Sequence, residues 1–151
     1  MRRIYIAGFD VFYPDAVQRG AQMKIACAEH GWIGLFPFDN EADTPKEIFE
    51  GNLSFIRQAD TIVANLNPFR GKEMDSGTAF EIGFAHALGL DIWGYLDDDT
   101  PMRDCLGEVD EDGFSVENFG YPVNLMIAEP AHIVRGTFRD CLNAIQTAER
   151  S

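Results

Sequence analysis

The sequence is poor in positive charge and in cysteine, and it has no long apolar run. Twelve Lys and Arg stand against 25 Asp and Glu, a formal net charge of −13 with the three His neutral. Phosphate backbones are held by clustered cations, so this shortage argues against nucleic acid and anionic membrane surfaces as partners. A neutral small molecule meets no such barrier. No apolar stretch approaches the roughly 18 residues that cross a bilayer. The opening MRRIYIAGF carries two arginines, but its apolar run breaks at Asp10 and no small-residue cleavage site follows. It reads as a first strand, not a signal peptide. Cys27, Cys105 and Cys141 share no metal or redox spacing. They suit packing thiols in a reducing cytoplasm.

What the chain does have is core-building material. Of its 151 residues 46% are hydrophobic and 12% aromatic, with twelve Phe. A chain of this length forms one domain, residues 1–151, and buries about two thirds of its unfolded surface. Strand-like runs fall at Arg3–Ala7, Trp32–Phe38, Thr61–Leu66, Asp91–Leu96 and Val123–Ala128. Helical patterns separate most of them. One follows Tyr13, with Ala21, Ile25 and Ala28 at helical spacing and Gly31 as its stop. The next opens on TPKE, where Thr44 can cap, Pro45 suits the first helical position and Glu47 completes a capping box. Its apolar face is Ile48, Leu53 and Ile56. A third begins at Asp75, and a fourth runs through GTFRDCLNAIQTAE. This alternation predicts an α/β fold, a flavodoxin-like or Rossmann-like parallel sheet with helices on both faces. The stretch Asp97–Gly113 departs from the rhythm, with eight acidic residues and little periodicity, and reads as an exposed excursion.

In such sheets ligands bind beyond the carboxyl ends of the strands. Three segments fall there: AGFDVFYPD with Gly8 and Phe12, PFDNEAD, and NPFRGKEMDSGT with Asp75 and Ser76. Each sets polar groups beside aromatics, the usual lining of a small-molecule pocket. The third helix then places a carboxylate where grease is expected. Three, four and seven residues after Glu81 come Phe84, Ala85 and Leu88, so Glu81 heads an apolar stripe. Two readings of it stand side by side. With Thr78 three residues earlier it can close a capping box. Alternatively it is a partly dried carboxylate with a chemical role. Asp75 reads as the helix N-cap. The two carboxylates could also approach one ligand and act as nucleophile and proton donor.

Other signals are weaker. SGT at the helix start could cradle a phosphate, but Glu73 and Asp75 oppose it and no Gly-rich lysine loop is present. Glu108, Asp110, Asp112 and Gly113 match the first part of an EF-hand loop, yet Phe119 stands where a bidentate glutamate is required. His30, His86 and His132 share no ligand spacing, and no metal site is expected. Arg70 and Lys72 read as rim partners of Glu73. Met126 reads as core. Asn124, heading the apolar run of PVNLM, needs hydrogen-bond partners.

IYIAGFDVF, ADTIVANLNPFRGKEMDSGTAFEIGFAHALG and FGYPVNLM, in that order and over most of the chain, together resemble the nucleoside 2-deoxyribosyltransferases. The resemblance implies a flavodoxin-like sheet and transfer of 2-deoxyribose between nucleobases, with no metal or organic cofactor. By position Glu81 matches the family's nucleophilic glutamate, and Asp75 an aspartate of the sugar and base site. Tyr5 matches a tyrosine that holds the nucleophile by hydrogen bonding. Phe12 sits where the family puts an aromatic against the base. Asn124 matches an asparagine that a neighbouring subunit lends to the sugar, which implies a homo-oligomer. Gly8, Asn52, Ser76 and Met126 complete the implied substrate-binding set. Two departures bear on base preference. Asn52 stands where some broad-specificity members have a second aspartate, and the chain ends TAERS where some tuck an aromatic terminus into a neighbour. The central block looks closer to the purine-preferring branch.

The implied chemistry is retaining-glycosidase logic applied to an N-glycosidic bond. Glu81 would form a covalent deoxyribosyl intermediate, Asp75 would protonate the departing base, and Tyr5 would keep Glu81 oriented and ionised. The expected partners are 2′-deoxyribonucleosides and free nucleobases. Two rivals remain: an N-glycosidase that hydrolyses deoxynucleoside 5′-monophosphates, and a non-catalytic nucleotide-sensing module on the same fold.

Overall fold

The computed structural model describes residues 1–151. Strands β1 (Arg3–Ala7), β2 (Ile33–Leu35), β3 (Thr61–Asn65), β4 (Asp91–Leu96) and β5 (His132–Arg135) form one parallel sheet in the order β2-β1-β3-β4-β5. Six helices accompany it: α1 (Ala16–Glu29), α2 (Pro45–Gln58), α3 (Ser76–Ala87), α4 (Met102–Leu106), α5 (Leu125–Ala128) and α6 (Phe138–Glu149). Successive strand residues point to opposite faces, and β1 shows what this does. Tyr5 and Ala7 join the core formed with α2, α3 and α5, while Ile4 and Ile6 join the core formed with α1 and α6. Every residue of β3 is buried, as a central strand covered on both faces requires. The fold is the α/β layout expected from the sequence.

Three local expectations give way. The run Val123–Ala128 is not a strand: its last four residues form the single turn α5, capped by Asn124. The fifth strand is His132–Arg135, a sheet edge with little apolar patterning to announce it. Short apolar runs do not distinguish a buried strand from a helical turn. Helix α1 turns a different face inward, with Ala21, Ile25 and Ala28 exposed and Ala16, Gly20, Ala26 and Cys27 buried. Small residues make that contact because Phe36 lies so near that a Cβ on Gly20 would stand 2.2 Å from its ring. Finally, β2 ends at Leu35, and Pro37–Asp39 form a 3-10 turn.

The acidic excursion is tied down. Met102 of α4 is buried, and the Arg103 guanidinium donates to the Val116 carbonyl at 2.9 Å. The Asp110 carboxylate accepts the amides of Asp112 and Phe114, both at 2.9 Å, so it closes a turn. A polar chain joins the ends of β1, β3 and β4. Asn65 Nδ2 donates to the buried Asp10 carboxylate at 3.1 Å. Asn65 Oδ1 accepts from the Asn67 side chain at 2.8 Å, and Asn67 Oδ1 accepts the Asp97 amide at 2.9 Å. No helix is long and apolar enough to cross a membrane.

In this strand order the chain leaves β1 to one side and returns on the other, which opens a crevice at the carboxyl ends of β1 and β3.

Candidate active site

Helix α3 begins at that crevice, and its cap decides what Glu81 is free to do. Asp75 is the N-cap: its Oδ2 accepts the Thr78 amide at 3.1 Å and the Thr78 hydroxyl at 2.7 Å. Thr78 is buried and fully engaged with Asp75, so the alternative box between Thr78 and Glu81 does not form. One turn on, Glu81 instead accepts a hydrogen bond at Oε2 from the phenol of Tyr5, which is wholly buried in β1. Of the two readings of Glu81, helix capping falls away.

Burial pushes the Glu81 carboxyl up to about 7; the Tyr5 hydrogen bond opposes the shift, and the nearby Asp75 charge adds to it. The Tyr5 hydrogen bond favours the charged form, but loss of water outweighs that one hydrogen bond. The Tyr5 phenol is itself driven well above its ordinary value, first by burial and then by Glu81. It stays protonated, so its bond to the Glu81 carboxylate is a donation.

Glu81 and Asp75 both line a cleft of about 750 Å³. Gly8 and Phe12 form its wall on the β1 side, and α2 supplies Ile48, Phe49, Asn52 and Leu53 opposite. Phe80, next to Glu81, packs towards Phe49 with ring centroids 5.9 Å apart. Asn52 Oδ1 is the one buried side-chain polar atom in the molecule without a hydrogen-bond partner. A buried acceptor left unpaired costs about 1–3 kcal/mol, and a ligand N–H would remove that cost. Gly8 has φ of 150°, and a Cβ there would stand 2.6 Å from Asn65 Cβ. Only glycine fits that close approach.

The structure therefore brings together Tyr5, Gly8, Phe12, Asn52, Asp75 and Glu81. It leaves three expected residues elsewhere. Ser76 is exposed in the first turn of α3 and does not line the cleft. Asn124 and Met126 line a second cleft of about 410 Å³ with Ala79 and Gly83, on the opposite flank of α3. Met126 is 73% exposed, so it is not core: in a one-turn helix with Ile127 and Ala128 turned inward, it points out. Asn124 finds its partner locally, accepting the Met126 amide at 2.9 Å. Arg70 and Lys72 make no ion pair with Glu73; the Arg70 guanidinium lies over the rings of Phe69 and Phe12 instead.

Sequence reading missed the aromatic wall of Phe38, Phe49 and Phe80. Their signal was masked: Phe38 closes the strand-like run Trp32–Phe38, and Phe49 and Phe80 stand four residues before Leu53 and Phe84, so all three read as ordinary element faces. They are about half exposed.

A sequence model of the nucleoside 2-deoxyribosyltransferase family matches residues 4–126. Among solved structures, a 2-desoxiribosyltransferase from Leishmania mexicana is 38% identical, with a TM-score of 0.88 over 96% of this chain and 97% of that one. A CMP N-glycosidase from Clostridium botulinum, 17% identical with a TM-score of 0.58 over 97% of this chain and 99% of that one, shares the fold. An uncharacterised protein of Schizosaccharomyces pombe is 32% identical over 105 residues, 63% of this chain, which spans 50% of that longer relative. With the family match running from β1 to α5 and taking in Tyr5, Asp75 and Glu81, the chain belongs to the nucleoside 2-deoxyribosyltransferase family.

Proposed function

We propose that this protein transfers 2-deoxyribose between nucleobases through a covalent intermediate on Glu81. The observation that carries the reading is a carboxylate freed from helix capping by Asp75, fixed by a buried phenol, and set in the wall of a largely apolar cleft. Ionised Glu81 attacks the anomeric carbon: the C–O bond forms as the C–N bond to the base breaks. The departing base takes a proton from Asp75 directly or through water. A second base then enters, gives up its proton along the same route, and displaces Glu81 from the opposite face. Two displacements retain the anomeric configuration. Tyr5 has a positioning part, holding one carboxylate oxygen so that the other faces the sugar.

Phe12, Phe80 and Phe49 offer flat apolar surface for the base, and the unpaired Asn52 oxygen offers an acceptor for one of its N–H groups. The cleft is roomy enough for a two-ring base, and purines are the favoured partners in this reading. Asn124 lines a different cleft from the one that holds its own Glu81. A homo-oligomer in which Asn124 reaches a neighbour's sugar accounts for that placement. The site needs no metal or organic cofactor, and its reactants are 2′-deoxyribonucleosides and free nucleobases.

The deciding experiment mixes protein with 2′-deoxyinosine and adenine and follows products by chromatography, with Glu81→Ala in parallel. 2′-Deoxyadenosine from the wild type and none from the variant is the expected result. Hypoxanthine without 2′-deoxyadenosine would mean hydrolysis. Silence with both purine and thymidine donors, but turnover of deoxynucleoside 5′-monophosphates, would move the protein to the N-glycosidase reading.

A further inference from the structure

We propose that Arg70 is a positioning residue for the aromatic platform at the cleft mouth, holding the Phe12 ring in place and thereby setting how tightly a nucleobase is gripped. The inference rests on the reading of this cleft as a nucleobase site. Three observations meet at this residue. Arg70 has φ of 55°, the one residue other than glycine with positive φ in the chain. Its guanidinium carbon lies 4.5 Å from the centroid of Phe69 and 5.1 Å from that of Phe12. It makes no ion pair, in a molecule where acidic residues outnumber basic ones 25 to 12.

The loop around it is short and closed. Phe69 donates its amide to the Glu73 carbonyl at 2.8 Å, and Pro68 and Met74 bridge. A glycine at position 70 would serve such a turn without strain. A left-handed arginine persists only where its surroundings over-determine it, and such positions gather at ligand clamps. What holds it is a stack. The Phe69 ring lies nearly parallel to Phe9, at 4.9 Å and 7°, and to Phe12, at 5.4 Å and 13°. Phe9 and Phe12 belong to the turn after β1, whereas Phe69 and Arg70 belong to the loop after β3. The guanidinium thus ties together the two loops that flank the crevice, and Phe12 is the member of the stack that lines the cleft. A planar cation over ring faces gains both quadrupole attraction and dispersion, which an ammonium matches only in part.

The test compares wild type, Arg70→Gly and Arg70→Lys in the base-exchange reaction. Calorimetric binding of 2′-deoxyadenosine is measured alongside, in a Glu81→Gln background that blocks turnover. Arg70→Gly relieves the backbone while deleting the stack. Its melting temperature is expected to hold or rise while KM for adenine increases about three- to fivefold and kcat stays within about twofold. Arg70→Lys is expected to recover part of the KM. A lower melting temperature with unchanged KM would reduce Arg70 to a structural part and overturn the proposal, as would a fall in kcat at constant KM. If the wild type exchanges nothing, the transferase reading fails and the binding arm decides alone. Weaker 2′-deoxyadenosine binding in the Arg70→Gly protein supports the proposal; equal binding, or none to either protein, overturns it.

Discussion

Glu81 carries opposite demands for chemistry and for stability. The proposed role as nucleophile requires it ionised, yet burial holds its carboxyl near 7. Transfer is therefore expected to rise with pH along a limb whose midpoint in kcat/KM lies at about 7. Tyr5→Phe removes the hydrogen bond that opposes the upward shift, so the limb should move to higher pH. A pH–rate profile of both proteins checks the direction; a shift to lower pH would contradict it. The same group acts on folding with the reverse sign. Its folded value lies above the ordinary 4.5. The stability tied to it is therefore fully present below about pH 4.5 and is lost as pH rises through about 7. Glu81→Gln keeps a partner for Tyr5 but cannot ionise. Above pH 7 it is expected to be more stable than wild type by about 1–2 kcal/mol, with the difference gone below pH 4.5. Denaturant titrations at pH 8 and pH 4 measure it.

Helices show where sequence reading succeeded and where it stopped. α2 begins as TPKE announces: Thr44 accepts the Glu47 amide at 3.2 Å, although the Glu47 carboxylate reaches the Asp43 amide, not that of Thr44. α3 was legible from Asp75 and from the apolar residues that follow Glu81. The partner of Glu81 was not legible from local pattern: Tyr5 lies 76 residues away, and only the register of β1 beneath α3 makes them meet. The inner face of α1 escaped because pattern reading rewards bulk, and this helix packs through Gly20. Gly20→Ala gains helix propensity worth about 1 kcal/mol. Its Cβ would nevertheless meet the Phe36 ring at 2.2 Å. Overpacking of that kind costs about 1–3 kcal/mol, so the variant is expected to melt lower than wild type in a thermal scan. The fifth strand was missed because HIVR is a half-exposed edge and the more apolar NLMIA stood nearby as a decoy.

Considered as one body, the molecule divides its expected site over two flanks of α3. The Glu81 cleft lies on one and the Asn124 cleft on the other. If Asn124 serves a neighbour's sugar, Glu81→Ala and Asn124→Ala proteins should each be nearly inactive alone. Mixed and allowed to exchange subunits, they are expected to regain part of the wild-type transfer rate, because some sites then pair an intact Glu81 with an intact Asn124. Mixing without recovery would place Asn124 outside the site.

The chain of hydrogen bonds from Asp10 through Asn65 and Asn67 to Asp97 bears on how such a cleft meets its ligand. Three loops sewn to one another lose their conformational entropy when the protein folds, not when a nucleoside arrives. The β1 side of the cleft is thus braced through β3 and β4 before any ligand enters, and a break at Asn65 would loosen all three strand ends at once.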